Sequence, residues 1–351
     1  MQSTASFTHD SPLPSQCKSN TFWFVNPLFD TIFVCGGLMW LLFGFYQFVL
    51  PSHHFGALSL VLSVILAEAH VIATHVRLYE SAAMRRRHKW MMLTGPPIIV
   101  AILVALCLSP SLLSLAALIY VVTSIHHGLR QCYGISLLYC RKQGFKLTSI
   151  DKQLISTLIH LVMLFAVLRQ FAYPAFAKSP LRGVDVAFVQ IVPEWLVGLS
   201  ILLLICLGST IVFRLTLQAM RGQCFPWSSA LLLLNASLVV IFSREIAGDL
   251  WIFVPGFFHG SQYLVVTFMS RIKSQKLAGA KNPDAIFSSS ISYVLILLVV
   301  TALIYGGVPA YLRTQGVNFD VACAAVFLAM VLHHFYVDSK IWRSGQNIGV
   351  L

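Results

Sequence analysis

Charge is what this chain has least of. Only 10% of its 351 residues are charged and 58% are hydrophobic, whereas soluble domains carry roughly 25% charged residues. No soluble core could hide that much apolar surface, so lipid is the expected solvent. Acids are scarcer still, 12 against 24 Lys and Arg. The resulting charge of +12 does not point to nucleic acid. Basic residues fall in short clusters between apolar runs, such as Arg85 to Lys89, as the positive-inside rule produces. No basic patch carries the interleaved aromatics that stack bases.

Other absences narrow the field. The first twenty residues lack the apolar stretch of a secretory signal. Residues 1–25 are expected to be a loose cytoplasmic tail and 344–351 a short C-terminal one. The eight cysteines show no metal or redox spacing and read as small buried hydrophobes. There is no internal repeat, no soluble domain, and no flavin or dinucleotide fingerprint.

What is present is a series of apolar runs. About 20 apolar residues cross a bilayer as a helix. Ten stretches qualify, roughly 28–50, 57–79, 91–109, 112–139, 152–172, 194–215, 226–243, 249–270, 287–309 and 318–339. With both termini in the cytoplasm, most Lys and Arg fall inside. Only Arg169, Lys178, Arg182, Arg244 and Arg313 fall outside. The expected fold is therefore an all-α transmembrane bundle over 26–343. The loop at 173–193 is expected to lay a short amphipathic stretch on the membrane surface. Arg244, Glu245 and Asp249 are expected to form a local ion-pair set.

Ionisable residues inside spans are costly and usually functional. Glu68, His70 and His75 share one span, His126 and His127 another, His160 the next, His259 a later one, and His333 and His334 the last. Counted from the nearest basic cluster at ~1.5 Å per residue, all lie on the order of 10–20 Å from the same fringe. Chance would spread them over both halves of the membrane. His334 and Asp338 are four apart, and Glu68 and His75 seven apart, so each pair shares a helix face. Gln131 follows His127 by one turn, and Gln262 and Tyr263 follow His259 likewise. Adjacent histidines point about 100° apart, so one of each pair can face the centre and the other a neighbour. Arg130 is placed beside the histidines, to hold a carboxylate or to snorkel. His160, with no polar neighbour, reads as a packing or hydrogen-bonding residue. His9, His53, His54 and His88 read as loop or tail residues.

Seven such histidines, or eight with His160, exceed the four ligands of one structural zinc. Nitrogen-rich sites with carboxylates suit iron, copper or zinc. The set resembles, in type, the integral-membrane histidine-rich di-iron enzymes: fatty acid desaturases, alkane and sterol hydroxylases, and carotenoid hydroxylases. In place of their His-x-x-x-His and His-x-x-His-His boxes it has His-x-x-x-x-His, two bare His-His pairs and His-x-x-Gln-Tyr. The resemblance implies two irons acting on dioxygen and a lipid-like substrate, in a bacterial inner membrane or an ER-like one, with the site toward the cytoplasm. It implies ligands among His70, His75, His126, His127, His259, His333, His334 and Asp338. Glu68, Gln131, Gln262 and Tyr263 would orient them or the oxygen species. Electrons would come from a ferredoxin or cytochrome drawn to the basic inner face. A b-type haem protein and a transition-metal transporter are the alternatives.

Overall fold

A computed structural model describes residues 22–48, 58, 61–80, 82–173, 178–181, 184–223, 225–247, 251, 253–277, 279 and 282–341. His9, His53, His54, Asp249 and the expected C-terminal tail lie outside the described residues. The chain is a helical bundle. Its helices are α1 (Pro27–Val34), α2 (Gly37–Phe48), α3 (Ala69–Glu80), α4 (Ala82–Arg87), α5 (Lys89–Leu108), α6 (Pro110–Lys142) and α7 (Ser149–Ala172). These are followed by α8 (Glu194–Met220), α9 (Trp227–Ala247), α10 (Val254–Leu277), α11 (Pro283–Ala302), α12 (Val308–Thr314) and α13 (Phe319–Ile341). Where an amphipathic surface stretch was expected, the chain forms an antiparallel hairpin, β1 (Lys178–Leu181) with β2 (Val184–Ala187).

Seven helical segments are long and apolar enough to cross a membrane, and the bent pair α1–α2 makes up to eight. This is a multi-pass helical membrane protein. Of the expected span 57–79, residues 57, 59 and 60 lie outside the described residues and the rest forms a π turn and α3. Over 249–270, α10 is long enough but carries His259, Ser261, Gln262 and Tyr263 and is packed inside protein. α10 touches α1, α2, α3, α6, α9 and α11. Elsewhere lipid does the covering. Only 11% of the apolar window of α5, and of α8, is buried, against 67% for α13. Hence α5 and α8 line the rim and α13 belongs to the core.

Local chemistry sets the helix boundaries. Asn26 caps α1, its Oδ1 accepting from the Phe29 N–H at 2.9 Å, with Pro27 in the first turn. Thr148 and Asp151 form a reciprocal capping box at the start of α7. Asp151 also accepts from Arg214 Nε at 2.9 Å, which ties α7 to α8. At the opposite end, Arg244 is buried and donates to the carbonyls of Arg169 and Tyr173, while Arg169 pairs with Glu245 at 2.8 Å. Arg244 and Glu245 therefore reach the end of α7, while Asp249, the third member of the expected set, lies outside the described residues.

Between α1 and α2 the chain bends by 64°. Gly36 makes the bend possible with φ of +95°, and a Cβ there would meet the Phe258 ring at 2.9 Å. A break frees carbonyls that lipid cannot satisfy. Side chains take them instead. Ser261 Oγ donates to Phe33 O at 2.9 Å, Gln262 Nε2 to Val34 O at 2.7 Å, and Asn235 Nδ2 to Cys35 O at 2.7 Å. Asp30 anchors the segment before the break. It accepts from the N–H groups of Phe24 (2.7 Å) and Val25 (3.1 Å) and from the Tyr139 hydroxyl (2.7 Å). Residues 22–24, expected in a loose tail, pack their rings against Tyr139.

Candidate metal centre

Four helices and one π-helical turn bring the site together. The π turn, Ser63–Glu68, precedes α3 and shifts its register by part of a turn. Its Leu66 carbonyl accepts from His70 Nδ1 at 3.1 Å. A carbonyl can only accept, so Nδ1 carries the proton and Nε2 presents a lone pair. His75 repeats the device one turn on, with Nδ1 donating to Val71 O at 2.7 Å. The same Leu66 carbonyl lies against α10: a Cβ at Gly260 would come within 2.3 Å of it. Only glycine lets the two backbones approach closely enough for His70 and His259 to share a centre.

Four groups then converge. Ligating atoms of His127 (α6), His259 (α10), His334 and Asp338 (both α13) all lie within 4.8 Å of one another. His70 stands against this group, its ring centroid 4.6 Å from that of His259 and 4.8 Å from that of His334. Asp338 is oriented by two donors, since Thr74 Oγ1 (3.0 Å) and Tyr263 Oη (3.3 Å) both reach its Oδ1. Its Oδ2 faces His127 Nε2 at 3.5 Å and His334 Nε2 at 3.7 Å. His259, His334 and His70 are buried, as is Asp338.

The donor set fits a metal ion. Among the described residues, His70 Nε2, His127 Nε2, and both ring nitrogens of His259 and of His334 are buried without a hydrogen-bond partner. Each buried unsatisfied polar atom costs ~1–3 kcal/mol. Six such atoms together cost on the order of 10 kcal/mol, which is as large as the net stability of a typical domain, ~5–15 kcal/mol. A cation held by Asp338 and one nitrogen each of His127, His259 and His334 would relieve three of the six. Imidazole with carboxylate is a donor set suited to iron, zinc or copper.

The remaining expected site residues sort into three groups. His75 and His333 form a pair apart from the four, with Nε2 and Nδ1 3.0 Å apart. His75 Nδ1 holds its own proton, so His333 Nδ1 is the donor, and the pair is satisfied internally. Gln131, Gln262 and Glu68 hold backbone and packing near the cluster. Gln131 Nε2 donates to the carbonyl of His259 at 3.0 Å and to Gln262 Oε1 at 3.1 Å. Gln262 turns away to Val34, and Glu68 Oε1 accepts from Ser63 at 3.5 Å. His126 does not join the cluster. It is exposed on the far side of α6, 5.8 Å from the ring of His160, which is exposed as well. Arg130, expected beside the inward histidines, is exposed on that same outer face.

Four contributors escaped the sequence reading. Thr74 lies four residues after His70 on the same stripe, a signal that was there to be used. Phe335, whose ring lies 4.5 Å from that of His127, is an aromatic among many. Tyr120 and Ser124 line a small cleft, with room for about one water molecule, that borders His70, His127 and His259 and is otherwise walled by Ala67, Pro255, Gly256, Phe327, Val331 and Phe335. No protein-family model, no curated protein and no solved structure matches this chain.

Proposed function

We propose that the chain is a metal-dependent membrane oxidoreductase that hydroxylates or desaturates a lipid-like substrate, with iron held by His127, His259, His334 and Asp338. The observation that carries the reading is the set of buried, unpartnered imidazole nitrogens beside a small, mostly apolar cleft. His70 Nε2, buried and unpartnered beside His259 and His334, is the further donor on this reading. Bound iron would supply the activation of dioxygen for attack on a C–H bond.

The protein's own part is positioning and exclusion. Thr74 and Tyr263 fix one Asp338 oxygen and so aim the other at the imidazoles. The Leu66 and Val71 carbonyls fix the tautomers of His70 and His75. The cleft walls, Phe327, Val331, Phe335, Ala67 and Tyr120, present aliphatic and aromatic surface to a chain-like substrate. They keep water from the reacting carbon. Ser124 lines the same cleft, with its hydroxyl donating to Val121 O at 3.0 Å. The end of the bundle that carries Arg77, Arg85 to Arg87, Arg141 and Arg271 is the docking face for an acidic ferredoxin or cytochrome, and is cytoplasmic on this reading.

Metal analysis with an absorption spectrum of the detergent-purified full chain tests this. The expected result is stoichiometric iron without a Soret band. A Soret band would replace the reading with haem. A metal-free chain that gains no stability from added ferrous iron would end it.

A further inference from the structure

The two histidines of the His126-His127 pair serve different surfaces. His127 points into the cluster, whereas His126 faces outward beside His160, their ring centroids 5.8 Å apart. Arg130, one turn from His126 on the same face, reaches Ser156 Oγ at 3.5 Å and lies 5.3 Å over the Tyr133 ring. Among the described residues it has no carboxylate partner. His160 Nδ1 donates to Ser156 O at 2.6 Å, which turns Nε2 outward as an acceptor. All three side chains are exposed on a surface formed by two membrane-spanning helices.

Their level in the membrane is informative. Arg130 is 11 residues along α6 from Arg141 in its basic last turn, about 16 Å at ~1.5 Å per residue. A guanidinium on its long stem snorkels from that level toward the headgroups. Above it the same stripes turn apolar, with Ile119 on α6 and Leu164 on α7 both exposed. The pattern is polar at one end and greasy along its length, which is the shape of a phospholipid.

The geometry points to a binding site for one anionic phospholipid in the α6–α7 groove. The phosphate pairs with Arg130, headgroup hydroxyls meet His126 and His160 Nε2, and an acyl chain lies over Ile119 and Leu164. The site is separate from the histidine cluster and does not depend on its function.

Native mass spectrometry of the detergent-solubilised full chain tests the proposal with phosphatidylglycerol, phosphatidylcholine and inorganic phosphate. The wild type should retain one phosphatidylglycerol about tenfold more tightly than phosphatidylcholine. Arg130→Gln with His160→Leu should erase that preference. His126→Phe, an apolar change on a lipid-facing surface that spares the fold, should weaken it by a smaller factor. Equal retention of the two lipids by the wild type would overturn the site. Displacement of the lipid by inorganic phosphate would reassign the anion to a soluble source and overturn the lipid. Disulfide cross-linking of His126→Cys between two chains would replace the lipid by a protein contact.

Discussion

Asp30 and Asp338 are both buried in the bundle, yet their carboxylates live differently. Asp30 accepts from two backbone N–H groups and a tyrosine hydroxyl, so both oxygens are engaged. Asp338 receives two donors on one oxygen and turns the other toward imidazoles that, among the described residues, give it no hydrogen bond. Depth alone therefore does not mark a functional acid in a membrane bundle. Satisfaction does: a completed carboxylate holds the fold, and a half-completed one holds a place for something else.

The contrast can be broken by exchanging each acid for its amide. Asp30→Asn sets an NH2 against existing donors in a buried site. It should cost on the order of 3–5 kcal/mol of stability, seen as a lower melting temperature in detergent, with metal per folded chain unchanged. Metal loss without a change in melting would invert the assignment of the two acids. Asp338→Asn should lower metal affinity by about 10- to 100-fold in a chelator titration, while the metal-free protein melts close to wild type. An unaltered titration would reduce Asp338 to a structural role. The smallest effect sharpens the comparison. Thr74→Val removes one of two donors to Asp338 and should cost ~0.5–1.5 kcal/mol. It should shift metal affinity in the direction of Asp338→Asn but by less. A shift as large as that of Asp338→Asn would mean that Tyr263 contributes nothing to aiming the carboxylate.

Much of the site was legible because histidine is expensive in lipid. His70, His127, His259, His334 and Asp338 were readable from common depth and helical spacing. Which member of each pair faces inward was not. The 100° offset is symmetric until the neighbours are known, and α7 packing beside α6 is what leaves His126 outside. Counting spans by hydropathy carries a tension that α10 shows: a helix that bears the polar residues of a site is less apolar for that reason. Asp30 escaped notice because an acid near a helix start is ordinarily solvated at the interface. Its burial depends on Tyr139, 109 positions away. The fastening of the break at Gly36 by Ser261, Gln262 and Asn235 has no sequence period and could not be foreseen.

That fastening has a mechanical consequence. Ser261 and Gln262 follow His259 by two and three residues on α10, and they are tethered to Phe33 and Val34 respectively. A helix stitched at two consecutive residues to a rigid elbow can neither slide along its axis nor roll. The imidazole just before the stitches inherits that immobility, so the N-terminal elbow, though it contributes no ligand, works as the fixed jaw of a vice that grips the centre.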